Sequence, residues 1–110
     1  MSYSNGVKRG QNDLATKWHG RKLVREISAE SAYEYYPIGK HVVIAPGVCG
    51  GRPTFKGTRI EVKTILDCLR EGRTIHDVLK SYPSLGRAAV NEAMALATQA
   101  FADQFSLQAA

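Results

Sequence analysis

The sequence predicts an α+β fold: a small antiparallel sheet built from β-hairpins, followed by a trihelical, helix-turn-helix-like unit. Three observations lead there. Apolar residues before Ile60 come in short β-branched or aromatic runs broken by turn residues, whereas after it they recur at helical spacing. Between the halves lies Cys49 to Ile60, with three glycines, one proline and three cations in twelve residues. Behind it, three helical segments fit into about 40 residues, the second very short and tightly joined to the third.

A chain of 110 residues is large enough for one core but not two. Residues 1–32 are expected to form a basic, partly flexible N-terminal extension and 33–110 a single domain. Within that domain 33–60 hold the hairpins, 61–102 the trihelical unit and 103–110 a C-terminal tail. Asp13 is placed to cap a turn over Leu14 to Trp18 before Gly20 interrupts it, and Trp18 is expected to dock on the domain. The length of Leu23 to Ile27 leaves strand and helix both open.

Tyr33 to Tyr36 have strand propensity, and Pro37-Ile38-Gly39-Lys40 has turn chemistry. His41 to Ala45 form the clearest strand, stopped by Pro46-Gly47. Arg52–Phe55 and Thr58–Ile60 are expected as two further short strands around a Lys56-Gly57 turn.

Val62, Ile65, Leu66 and Leu69 lie at i, i+3, i+4 and i+7, one face of a first helix ended by Gly72. Thr74, with Asp77 three residues on, starts a second helix that stops near Tyr82-Pro83. The third runs from Arg87 to about Ala102 with two apolar stripes. One is Val90, Met94, Ala97 and Phe101. The other is Ala89, Ala93, Leu96 and Ala100, small enough for another helix to approach closely, and is taken as a dimer or partner contact.

The net charge of +5 permits a polyanionic partner. Residues 1–32 carry six cations against three anions, residues 33–60 four against one, and residues 61–110 five against six. The excess positive charge therefore precedes the helices. If the chain holds DNA, Arg52, Lys56 and Arg59 are expected to grip backbone phosphates and to outweigh Arg87 in affinity. In trihelical units the start of the last helix enters the major groove, which makes Arg87 and Asn91 the candidates for base edges, with Thr98 on the same outward face.

Other chemistry finds little support. Lys56-Gly57-Thr58 has the wrong order for a nucleotide phosphate loop, and no nucleophile and base stand at a telling spacing. Cys49 and Cys68 are far apart, and His19, His41 and His76 are scattered, so neither metal nor disulfide is expected. No catalytic residue and no cofactor are assigned. No apolar run approaches a membrane span, and the polar start lacks a signal-peptide core, which makes the cytoplasm the default location. RNA binding through Tyr33, Tyr35 and Tyr36 is a third, weaker expectation.

Gly50-Gly51-Arg52-Pro53-Thr54-Phe55-Lys56-Gly57-Thr58-Arg59-Ile60, followed by a leucine-rich helix, Gly72, Tyr82-Pro83 and an alanine-rich helix, resembles the bacterial domain of unknown function numbered 433, over roughly residues 40–102. The resemblance implies a VapB-type antitoxin: a homodimeric protein that binds double-stranded DNA, represses its own operon and neutralises a PIN-like nuclease toxin. The alternative is a protein–protein adaptor that keeps the fold without binding DNA. The chain departs from the family pattern at Glu61, often proline there, and at Gly86 to Ala89, where threonine and acidic residues are common.

Overall fold

The computed structural model describes residues 21–29 and 31–105; the turn expected at Leu14 to Trp18 and the docking of Trp18 lie outside them. Four antiparallel strands stand in sheet order β1-β2-β3-β4: β1 Val24–Ile27, β2 Ala32–Pro37, β3 Val42–Ile44 and β4 Thr54–Phe55. Helices α1 (Val62–Arg70), α2 (Ile75–Ser81) and α3 (Arg87–Phe105) follow. The class is the α+β arrangement expected from the sequence.

Strand β3 is the axis of the sheet. All three of its residues are buried, as in a strand covered on both faces. Val42 joins the helix-side core with Phe55, Ile65, Val78 and Val90, whereas Val43 packs with Tyr35 and Ala45 on the other face. Alternation in a strand produces this split. The helices thus cover one face of the sheet. On the opposite face Tyr35, Val43 and Ala45 form a smaller cluster, with Tyr33, Val24 and Val48 at its margin.

Leu23 to Ile27, ambiguous in sequence, resolves into β1, because Val24, Arg25, Glu26 and Ile27 pair in register with Tyr35, Glu34, Tyr33 and Ala32. The sheet therefore starts within 1–32, and a boundary at residue 33 would cut a hairpin. The strand expected at Thr58–Ile60 does not form, since only a lone bridge, Thr54 to Glu61, continues β4. The Thr58 hydroxyl donates to the Phe55 carbonyl (2.8 Å) and accepts from the Ile60 amide (3.0 Å), closing a turn that satisfies these groups locally.

Helix starts and stops follow local chemistry. The Thr74 hydroxyl accepts from the Asp77 amide at 3.0 Å, a cap worth about 1 kcal/mol. Gly72, at φ +102°, ends α1 as its amide and that of Arg73 return to the carbonyls of Leu69 and Cys68. Helix α3 continues to Phe105, past the expected end at Ala102, so the first three residues of the expected tail are helical.

The two stripes of α3 need a correction. Ala89 and Ala93 are 7% and 1% exposed and pack, with Leu96 beside them, into the chain's own core. They are not available to a partner, and Ala100 is the one exposed member of that stripe. The first stripe starts buried at Val90, but Met94, Ala97 and Phe101 are exposed because the helix outruns the sheet.

Candidate nucleic-acid interface

The central stretch is a joint whose backbone is bent by its sequence. Val48 leads into a tight turn over Cys49–Gly51 in which all three residues have positive φ (50°, 64° and 82°), a conformation that suits the two glycines and strains Cys49. The Cys49 thiol donates to the Arg59 carbonyl at 3.3 Å, tying the two ends of the stretch together. Directly after this turn, Arg52 makes a forked pair with Glu61, Nε to Oε1 at 2.9 Å and Nη2 to Oε2 at 3.1 Å. Those hydrogen bonds raise the Arg52 pKa and hold the Glu61 carboxyl below the ordinary carboxylate range. Glu61 also stands just ahead of α1, where its side chain serves the arginine and caps no helix amide.

Lys56 is engaged as well. Its ammonium lies 3.2 Å from Glu26 of β1 and 5.2 Å from the centroid of the Tyr35 ring. The Tyr35 hydroxyl donates to the same Glu26 carboxylate at 2.6 Å, and the Tyr33 hydroxyl accepts from the Gly57 amide at 2.9 Å. This network straps the first hairpin to the joint. The bond from Tyr35, then Lys56, holds the Glu26 carboxyl low, while accepting Glu26 pushes the Tyr35 hydroxyl up. Tyr35 is buried and Tyr33 packs on it with ring centroids 4.9 Å apart, so the pair forms a sheet face and offers no open platform for RNA bases.

Of the three cations assigned to phosphate contact, Arg59 alone has no carboxylate partner among the described residues. Arg52 and Lys56 are exposed, but each brings its charge already matched.

A second contact, not visible in the sequence, ties α3 to the sheet. The Glu92 carboxylate accepts from the backbone amides of Lys40 (2.8 Å) and His41 (2.6 Å) in the β2–β3 turn. Gly39 makes room for it, since a Cβ there would fall 2.7 Å from the Glu92 carboxyl carbon. No local pattern marks Glu92, whose partners lie some fifty residues away. A lone acid inside an otherwise uncharged helical run, residues 88–102, was the only available hint.

These ties bring the Lys40–His41 turn, Lys56, Thr58 and the Ser84–Gly86 connection around one cleft of about 210 Å³ at the start of α3. The Gly86 carbonyl accepts from the Ala89 and Val90 amides, yet Gly86 has no side chain to cap the helix. The first turn of α3 contains no acid, and Arg87 and Asn91 are both exposed. This helix end therefore presents positive partial charge, a cation and an amide side chain on one surface. Thr98 is exposed too, but its hydroxyl bonds back to the Met94 carbonyl at 3.0 Å, about 16 Å along the helix from Arg87.

Both cysteines are free thiols, and no cluster of three or more metal-ligating side chains occurs among the described residues. No helix among them is long and apolar enough to cross a membrane.

No curated protein and no solved structure matches the chain. One family model does, over residues 42–97, which takes in β3, the joint, α1, α2 and α3 as far as Ala97. That is just over half of the chain, so it belongs to the family described as "Protein of unknown function (DUF433)".

Proposed function

We propose that this chain is a non-catalytic, DNA-binding regulator of the antitoxin type, which represses its own operon and neutralises a PIN-like nuclease. The observation that carries the DNA reading is the acid-free start of α3, where Arg87 and Asn91 stand exposed beside the cleft bordered by Lys40 and Lys56. Arginine and asparagine are the side chains that read guanine and adenine by paired hydrogen bonds. The antitoxin role rests on the resemblance carried by the Gly50 to Ile60 signature.

The division of labour differs from a grip by Arg52, Lys56 and Arg59 together. A phosphate approaching Arg52 or Lys56 must compete with Glu61 or Glu26. Arg59, Lys40 and Arg87 have no carboxylate partner among the described residues, so they supply most of the backbone contact. Arg87→Ala then costs more affinity than Arg52→Ala.

Band shifts with the DNA upstream of the chain's own gene test this, with and without the product of the neighbouring gene. Binding that weakens steeply with salt is expected, the logarithm of the affinity falling by roughly 0.9 per phosphate neutralised for each decade of salt. Absence of any shift at low salt, in both conditions, excludes the reading. Exposed Met94 and Phe101 favour one second reading, an adaptor that grips a protein partner and leaves DNA alone. Co-purification of a neighbouring gene product without any band shift selects it.

A further inference from the structure

Strand β1 is an open edge. It stands at one end of the sheet order, and no described strand pairs with its outer side. The other edge is closed, since both residues of β4 are buried and Thr54 bridges Glu61. The Ser28 amide donates to the Ser31 carbonyl at 2.8 Å, which makes residues 28 and 31 a hydrogen-bonded pair. Such pairs alternate along an antiparallel ladder, so Glu26 with Tyr33 and Val24 with Tyr35 are the next two. The amides and carbonyls of Arg25 and Ile27 therefore point outward, away from β2.

The side chains along this edge are apolar and basic. Ile27 is 75% exposed and Leu23 43%, and alternation puts both on one face with Arg25 between them. Beyond Leu23 the register sets Lys22 opposite Pro37, and a groove of about 440 Å³ opens there among Arg21, Lys22, Val24, Pro37 and Ile38. Arg21 is held at its rim by donating to the Pro37 carbonyl at 3.1 Å. Neither Arg21 nor Lys22 meets a carboxylate among the described residues, whereas Glu26 and Glu34 are matched by Lys56 and Arg25. Edge and groove together thus carry two unmatched positive charges.

We propose that β1 accepts an extended segment of a protein partner as a fifth, antiparallel strand, aliphatic opposite Ile27 and Leu23 and acidic opposite Arg25, Lys22 and Arg21. Backbone geometry sets the class of occupant. Outward N–H and C=O groups at every second residue are met in full only by another extended chain. Charge sets its origin and composition. A second copy of β1 would bring its own Arg21 and Lys22 and double the unmatched charge. The chain's own residues 1–20 hold three cations against one acid, so they match the edge no better. An acidic, aliphatic strand matches both the charge and the exposed side chains. About seven residues, or ~24 Å of strand, span Arg21 to Ile27. This surface uses neither Arg87 and Asn91 nor Met94 and Phe101, so the inference stands apart from both the DNA reading and the adaptor reading.

Proton–nitrogen correlation spectra of the full chain test it, titrated with the acetylated, amidated peptide Val-Thr-Glu-Thr-Val-Glu-Glu to about 2 mM, a ceiling suited to one short strand. The Arg25 and Ile27 amides should shift and saturate with a Kd below about 1 mM. The counterpart with lysine for glutamate should bind about fivefold more weakly or worse. N-methylation of the third peptide residue, whose amide faces Arg25, should abolish binding, whereas N-methylation of the fourth, whose amide faces away, should leave it intact. Arg25→Pro removes an outward N–H that the native ladder does not use, and should weaken binding about fivefold or more. Arg25→Ala keeps that N–H and should lose less. Circular dichroism checks that both variants fold, and if Arg25→Pro does not, the two N-methylated peptides decide the question. No saturating shift by the end of the titration, equal binding of the lysine peptide, or indifference to N-methylation overturns the proposal. So does a wild-type dimer in sedimentation equilibrium that Arg25→Pro abolishes, which would give the edge to a second copy.

Discussion

Glu92 shows how much of this structure hangs on single side chains. Its carboxylate satisfies two backbone amides, of Lys40 and His41, and Gly39 is small so that it can. Glu92→Ala should cost about 1–3 kcal/mol, the penalty of leaving such donors without their charged acceptor. Gly39→Ala displaces the same carboxylate and should cost a similar amount in the wild type, but little in the Glu92→Ala background. Denaturant midpoints of the four proteins measure that coupling, and additive losses would separate the two residues. Glu26 and Glu61 are among the carboxyls that tie stability to pH. Both carboxyls lie below their ordinary range when folded, so the stabilisation is complete above the unfolded value near 4.3 and is lost as pH falls through the folded values. Urea midpoints at pH 7 and pH 3 should differ by less in Glu26→Gln than in the wild type. Local chemistry made some residues legible from sequence: Gly72 as a helix stop and Thr74 as a cap. Glu92 and the Lys56–Glu26–Tyr35 network join residues far apart in the chain, and no local pattern encodes such pairs.

At the scale of elements, periodicity identified α1 and α3, the Thr74 cap marked α2, and a β-branched apolar run marked β3. Periodicity failed where a second body decides the outcome. Two stripes on α3 look equally apolar, and only the packing of α1 and the sheet shows that Ala89 and Ala93 face inward while Phe101 does not. Ala93→Leu should therefore overpack the core and cost about 1–3 kcal/mol, whereas Ala100→Leu, exposed on the same stripe, should be near neutral in thermal melts. Equal effects would return the stripe to the surface. Strand β1 was undecided for a related reason. Four residues carry too little pattern, and the pairing that settles them is supplied by β2. Thr58 to Ile60 fail as a strand because a threonine hydroxyl closes the turn first.

Across the whole molecule, charge is spread unevenly, and the fold changes what that distribution means. Arg52 and Lys56 belong to the basic half of the sequence, but folding matches each with a carboxylate, and both pairs serve to lock the joint. Lys40, Arg59 and Arg87 have no carboxylate partner among the described residues, and Lys40 borders the cleft where the β2–β3 turn, the joint and the start of α3, three segments distant in sequence, converge. The signature from Gly50 to Ile60 thus acts mainly as architecture that locks the first hairpin to the start of α1, and in the DNA reading proposed above the contact falls to the start of α3. Fluorescence anisotropy of the labelled upstream DNA, titrated with wild type, Arg87→Ala and Arg52→Ala at one fixed salt concentration, tests this most directly. The account predicts that Arg87→Ala weakens binding by about 1–3 kcal/mol, roughly five- to 150-fold, and that Arg52→Ala loses less. Equal binding by Arg87→Ala and wild type, with the loss falling on Arg52→Ala, would contradict it.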